Sequence, residues 1–323
     1  MYSIGIDIGG TNRPVGIIAL ETQKVVSKRS TPFVKGMSAP EAMDKLAALA
    51  REQMDMLGIS MDEIAYVGIG VPGVVMPDKG YLVRANNLEW YEQDIGRLLS
   101  DRLDGKKVYV ENDANAAAWG EHIAGACRGT KTSVVLTIGT GLGAGVIING
   151  KMLWGSHYNA GELGHVIVEV ENGIPCSCGN SGCIERYTAA TAIIRWGREA
   201  LQNGEETMLR EKCGGDPDKI DAKMVIDCSR ENDPVCQVIF QKFVHYLAVM
   251  CLNIVNFLDP EVIAIGGGVS NAGEYLMIPL RKELGELIVN KGMAYSELRI
   301  CQLEGDAGLL GAGLLGVGSE QGM

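Results

Sequence analysis

Two segments of this chain match in pattern although they lie far apart. IGIDIGGTNRPVGII (Ile4–Ile18) aligns without a gap on VVLTIGTGLGAGVII (Val134–Ile148). The identities are few, Ile8 with Ile138, Gly9 with Gly139, Ile17 with Ile147 and Ile18 with Ile148, and the hydrophobic pattern agrees better than the letters. Each segment reads as strand, Gly/Thr turn, strand. Solenoid repeats recur every ~20–50 residues, so this spacing points instead to a duplicated domain. The competing reading is that any two apolar hairpins look alike, and the repeat alone leaves both open.

The rest of the chain alternates strands with helices. Residues 41–51 carry helical spacing and strong helix formers. IAYVGIGVPG (64–73) is a buried strand closed by a Pro-Gly turn, and KVYVENDAN (107–115) is a strand ending in polar residues. Helices are predicted over 114–126, 187–201, 234–257 and 273–287. VIAIGGGVS (262–270) is again a strand followed by glycines, and AGLLGAGLLG (307–316) is a small-residue helix close-packed on a neighbour. This order predicts an α/β fold. With 323 residues, 46% of them hydrophobic, the chain exceeds what one core holds, roughly 250–300 residues, so two lobes are expected. The expected division is 1–112 plus 306–323 as a small α/β lobe and 113–305 as a large one.

Charge and composition exclude several classes. The formal net charge is -11, and an acidic surface repels phosphate backbones, so no nucleic-acid partner is expected. No signal peptide is read at the start, and no apolar stretch is read as reaching the ~18 residues of a membrane span. The nine cysteines are scattered and odd in number, so reduced thiols and a cytoplasmic location are expected.

The glycines concentrate in loops. In DIGGT (7–11) and IGTGLG (138–143) the absence of Cβ atoms lets backbone N–H groups approach an anion. Either loop alone is a common structural turn; two facing each other across a cleft would cradle a polyphosphate. Asp7 would hold Mg²⁺ through water, or else form its own backbone turn. Neither loop is a Walker A or a Rossmann fingerprint. Gly266, Gly267 and Gly268 lie between a strand and a helix, against a nucleotide or simply in a tight packing contact.

These motifs together resemble the ROK sugar kinases, most closely their glucokinase branch. DIGGTN (7–12) and GTGLGAGVI (139–147) resemble the two phosphate loops, NNLEW (86–90) the sugar loop and ENDANAAAWGE (111–121) the catalytic segment. GELGH (161–165) with CSCGNSGCIE (176–185) resembles the zinc and sugar signature, the most specific of the five. The resemblance covers nearly the whole chain. It implies a duplicated ribonuclease-H-like fold, of the actin/hexokinase-like ATPase kind, with the active site in a cleft between two lobes. It implies Asp113 as general base and Gly73, Asn87, Asn112, Glu162, His165 and Glu185 on the sugar. ATP would lie on Asp7, Gly9, Gly10, Thr11, Asn12, Gly139, Thr140, Gly141 and Gly266–Gly268, and a structural Zn²⁺ on His165, Cys176, Cys178 and Cys183. It also implies a homodimer.

The residue chemistry agrees. Phosphoryl transfer needs a carboxylate to take the hydroxyl proton, and Asp113 stands where a strand of an α/β sheet ends. By spacing alone Asp113 or Asn112 would equally serve as a helix cap, worth about 1 kcal/mol. Three thiolates and an imidazole make a closed tetrahedral zinc site; the competing reading is three reduced core cysteines. Zinc on one ring nitrogen of His165 would leave the other for the sugar. Glu162 and Glu185 would otherwise be ordinary solvated charges. His122 is expected at the surface, His245 packed in its long helix, Trp90 and Trp119 in the core. Pro14 cannot donate to a ladder and implies an edge or a bulge in the first hairpin.

Glucose phosphorylation at the 6-hydroxyl is the leading expectation. N-acetylmannosamine or N-acetylglucosamine kinase activity is the alternative. A sugar-responsive repressor of the same family would need a DNA-binding segment ahead of Asp7.

Overall fold

A computed structural model describes residues 1–9, 12–32 and 34–317, the side chain of Asn12 excepted. Gly10 and Thr11 of the first phosphate loop therefore lie outside the described residues. The chain divides into two compact units: Met1–Lys131 with Gly145–Gly161 and the chain from Gln302 onward, and Thr132–Ala144 with Glu162–Cys301.

The first unit opens with β1 (Tyr2–Asp7), β2 (Asn12–Ala19) and β3 (Lys24–Pro32), then α1 (Ala39–Leu57) and β4 (Ile64–Val71). A small three-stranded sheet follows, β5 (Val74–Met76), β6 (Tyr81–Ala85) and β7 (Trp90–Gln93), then α2 (Ile95–Ser100), β8 (Val108–Asn112) and α3 (Asp113–Ala124). α1 starts at a capping box between Ser38 and Glu41 and stops at Gly58, which is left-handed with φ 66°. Its apolar face, including Met43 and Leu46, joins Ile4, Ile6, Val67, Ile69 and Val110 of the sheet in one core.

The large sheet runs β3-β2-β1-β4-β8. β1, β4 and β8 are parallel, with Asp7 opposite Gly70 and Val71 opposite Asn112. Their carboxyl ends therefore emerge along one edge, which carries Asp7, Gly73, Asn112 and Asp113. β2 is an interior strand, yet it tolerates Pro14. The β1 register stops at Ile6 opposite Val15, so Pro14 pairs only with Ser30 of β3 and needs no donor towards β1. The expected edge is thus realised at one end of an interior strand.

The remaining elements are β9 (Ser133–Ile138), β10 (Leu142–Ile148), β11 (Lys151–Met152), α4 (Glu185–Thr188), α5 (Ala190–Gln202), α6 (Leu209–Lys212) and α7 (Ala222–Arg230). After them come α8 (Pro234–Leu258), β12 (Val262–Gly266), α9 (Glu274–Leu287), β13 (Glu297–Ile300) and α10 (Ala307–Gly313). The second large sheet runs β11-β10-β9-β12-β13. Counted from its own first strand this is the order 3-2-1-4-5, the order of the first sheet. The two aligned sequence segments are β1–β2 and β9–β10, so the duplication reading holds and the chance-hairpin reading falls. α10 lies on the first sheet, where a Cβ at Gly68 would stand 1.8 Å from the Ala312 carbonyl and one at Gly5 2.4 Å from that of Leu309.

Four local expectations need correction. The helix expected over 187–201 is interrupted at Ala189, whose ψ of 162° is extended. His122 is buried beside Trp119, with ring centroids 5.5 Å apart, and is not a surface residue. His245 is not packed: its side chain is 54% exposed and pairs with Glu283. α8 does have the length and mean hydropathy, 1.7, to cross a membrane, contrary to the expectation that no stretch would. Half of its most apolar window is buried within the protein, and it packs against α5, α7 and α9, as the core helix of a large domain does.

Candidate active site

In the first unit the chemistry gathers where β8 becomes α3. Asn112 is the helix cap: its Oδ1 accepts the N–H groups of Ala114 at 2.9 Å and Asn115 at 3.2 Å. Its Nδ2 donates to the Gly73 carbonyl at 3.0 Å, which ties the end of β8 to the turn after β4. Gly73 has φ 106°, and a Cβ there would stand 2.1 Å from the Arg84 carbonyl, so only glycine fits. Asp113 is the first helical residue, and its Oδ1 accepts the Ala114 N–H at 2.9 Å. Asn112 thus makes two bonds to the helix end and Asp113 shares one of them.

Asp7 stands on the same sheet edge. Burial first and then the charge of Asp113 raise its carboxyl, to about 6 in all, against the opposing charge of Lys28. A cation would relieve the repulsion that the charge of Asp113 exerts on Asp7. Asp7 also faces α10, where a Cβ on Gly308 would lie 2.6 Å from Oδ2. Gly9 begins the turn to β2, and Asn12 is the first residue of that strand. Asn87 is exposed in the turn between β6 and β7, where Leu88 N–H closes onto the Ala85 carbonyl at 3.1 Å. Trp90 ends that turn, buried, and its indole donates to the Met37 carbonyl at 2.8 Å.

The second unit gathers the remaining predicted residues. β9 and β12 are parallel, with Thr137 opposite Gly266. The Gly139–Gly141 hairpin and the Gly266–Gly268 loop therefore leave the same sheet edge. Gly267 has φ 80°, and a Cβ there would stand 2.4 Å from the Ile138 carbonyl, so the second loop lies directly against the first. Thr140 is fixed through its carbonyl, which accepts from the Thr191 hydroxyl at 3.0 Å. Glu185 begins α4, and its Oε2 accepts the Leu142 N–H at 2.9 Å, so this carboxylate braces the glycine hairpin.

His165, Cys176, Cys178 and Cys183 converge, with their ligand atoms all within 4.8 Å of one another. Cys176 Sγ is 3.7 Å from His165 Nδ1, and the Sγ atoms of Cys178 and Cys183 are 3.6 Å apart. A tetrahedron with metal–ligand bonds of ~2.0–2.3 Å has edges of about 3.5–3.8 Å, so both separations match those of a Cys₃His centre. Burial and the neighbouring thiols push Cys183 up to about 12. Cys178 moves the other way, lowered first by a hydrogen bond from the Asn180 backbone. His165 turns its other nitrogen, Nε2, towards Glu162, 3.9 Å from Oε2. Gly182 lets the loop close: its φ is 79°, and a Cβ would stand 1.8 Å from the Glu169 carbonyl.

Sequence reasoning missed three residues. Glu111 is buried between Asn112, Asn115 and Trp154. Its signal in the sequence is a carboxylate at the end of an apolar strand, beside Asn112 and Asp113. Trp154 had no spacing signal. Arg13 is buried and lies 5.4 Å above the Trp90 ring, linking the first hairpin to the sugar-loop motif.

The repeated five-stranded order and paired glycine hairpins define a chain of the actin/hexokinase-like ATPase fold. The ROK family model matches residues 3–317, and the chain belongs to the ROK family. A glucokinase of Thermotoga maritima is 37% identical over 310 residues, 96% of this chain and 95% of that protein. A ROK glucokinase of Streptomyces griseus, solved with glucose and AMPPNP, superposes with a TM-score of 0.82 at 31% identity, with both chains fully covered. A xylose repressor of Caldicellulosiruptor bescii is 30% identical over 220 residues, 68% of this chain and 54% of that protein.

Proposed function

We propose that the chain is an ATP-dependent hexose kinase that phosphorylates the 6-hydroxyl of glucose. One observation carries this reading: Asp113 stands at the β8–α3 junction, on the same sheet edge as Asp7, next to Asn112, which makes the two capping bonds of α3. In this reading Asp113 accepts the hydroxyl proton as the oxygen attacks the γ-phosphorus of ATP. In the same reading Gly73, Asn87, Asn112, Glu162, His165 and Glu185 hold the sugar. Glu185 has one oxygen engaged with Leu142, so it would touch sugar and phosphate hairpin together.

ATP would bind through the backbone of Gly9–Asn12, Gly139–Gly141 and Gly266–Gly268. Asp7 would hold Mg²⁺ through water, and that ion would neutralise phosphate charge. Zn²⁺ would sit in the Cys176–Cys178–Cys183–His165 cluster, fixing the ring of His165 with Nε2 towards Glu162. The high identity to glucokinases over almost the full length supports the choice of sugar.

The test is a coupled ADP assay with glucose, N-acetylmannosamine, N-acetylglucosamine and fructose. Glucose should give the highest kcat/KM. D113N should lose ~10²–10⁴-fold in kcat, the usual share of a general base, while retaining glucose binding by calorimetry. Near-normal turnover by D113N would overturn the assignment.

A further inference from the structure

Glu111 is a buried carboxylate one residue from the Asn112–Asp113 turn, and the three groups that bond it are donors. Oε1 accepts the Asn112 N–H at 2.9 Å and the Asn115 Nδ2 at 3.0 Å. Oε2 accepts the Trp154 indole N–H at 2.7 Å. An ionised carboxylate, which only accepts, is the species that suits this set. Burial works against ionisation and these bonds work for it, with the carboxyl settling at about 7.

The two oxygens serve different parts of the first unit. Oε1 holds the turn that presents Asp113. Oε2 holds the ring at the start of the segment 154–161, whose next residue in the chain is Glu162. That segment is closed on itself and pinned a second time. The Ala160 N–H returns to the Trp154 carbonyl at 3.1 Å, and the Tyr158 hydroxyl donates to Asp78 at 2.8 Å. Tyr158 holds a left-handed backbone, φ 57°, uncommon for an aromatic residue. The anchored ring thus sets where the segment begins.

We propose that Glu111 and Trp154 form a positioning pair that locks the Asp113 turn to the segment delivering Glu162. Neither residue touches the reacting atoms. The pair acts through Asp113 on turnover and through Glu162 on sugar affinity, so the proposal rests on the kinase reading above.

The bonding pattern makes a specific test possible. In E111Q the Asn112 N–H still requires an acceptor, so the amide oxygen must take the Oε1 place. The new NH₂ then faces the Trp154 indole N–H, donor against donor. W154F removes the opposing donor and keeps an aromatic ring. Expected for E111Q are a fall in kcat of about tenfold or more and a several-fold rise in glucose KM, with the KM for ATP within about twofold. W154F should be milder, because Glu111 keeps both bonds to the turn. The decisive variant is E111Q/W154F, which should recover most of the kcat lost in E111Q. A double variant as slow as the product of the two single losses overturns the pair, as does a loss confined to ATP affinity.

Melting temperatures, read in parallel, should show the same rescue. They keep the pair testable if no sugar is phosphorylated by the wild type, a result that would sink the kinase reading instead. An active wild type with no rescue in either measurement sinks the pair alone.

Discussion

Asn112 and Asp113 are adjacent, and both residue types cap helices well, so spacing could not divide the tasks between them. The structure does, because only Asn112 has the extended backbone of a cap and bonds to two N–H groups of the first turn, where Asp113 bonds to one. N112A should therefore lose about 1 kcal/mol of stability in urea unfolding, and D113N much less; equal losses would return the cap to both. The buried acid beside them has a separate signature in pH. Burial raises Glu111 from 4.5 to about 7, so the folded state favours its protonated form. Its contribution to stability is full below its ordinary value and is lost as pH rises through about 7. From about pH 5 to about pH 8.5 the wild type should lose roughly 3 kcal/mol relative to E111Q, to order of magnitude. Asp7, raised in the same direction, is present in both proteins and cancels. Parallel curves would show that Glu111 does not titrate differently on folding.

The small residues of α10 were visible as a close-packing helix, but its neighbours were not, since nothing in a Gly/Ala run says which backbone will approach. The answer is a glycine on each side: a Cβ at Gly311 of α10 would meet the Ala116 carbonyl at 1.8 Å, and one at Gly120 of α3 would meet Gly311 Cα at 3.0 Å. G311A should cost at least about 1–3 kcal/mol, the usual range for overpacking. G305A, where a Cβ meets nothing within 4 Å, should be near neutral, and an equally mild G311A would contradict the contact. The cysteine loop was more legible, because ligand spacing is local; what spacing hid is that Cys178 is exposed while Cys176 and Cys183 are buried. If the cluster holds zinc as proposed, a chelator should extract it and raise glucose KM, with zinc followed by elemental analysis. Chelation that extracts zinc and leaves glucose KM unaltered would separate the loop from the sugar. The histidine expectations failed for a common reason: helical position gives a face, and only packing says which face is covered.

The duplication was readable because β1–β2 and β9–β10 keep one hydrophobic rhythm, while the strand order was not, since β4, β8, β12 and β13 join through pairings distant in sequence. Mg-ATP at ~100 times its Kd should stabilise the native chain by about 2.7 kcal/mol, and glucose should stabilise D113N as it does the wild type. No shift with either ligand would count against a kinase. The family spans glucokinases and a repressor, and the junction of β8 and α3 suggests how one scaffold serves both. On the proposed reading, holding the helix and moving the proton fall to different side chains there. A lineage can thus exchange residue 113, fall catalytically silent and keep a well-formed sugar sensor, with no intermediate that has to misfold along the way.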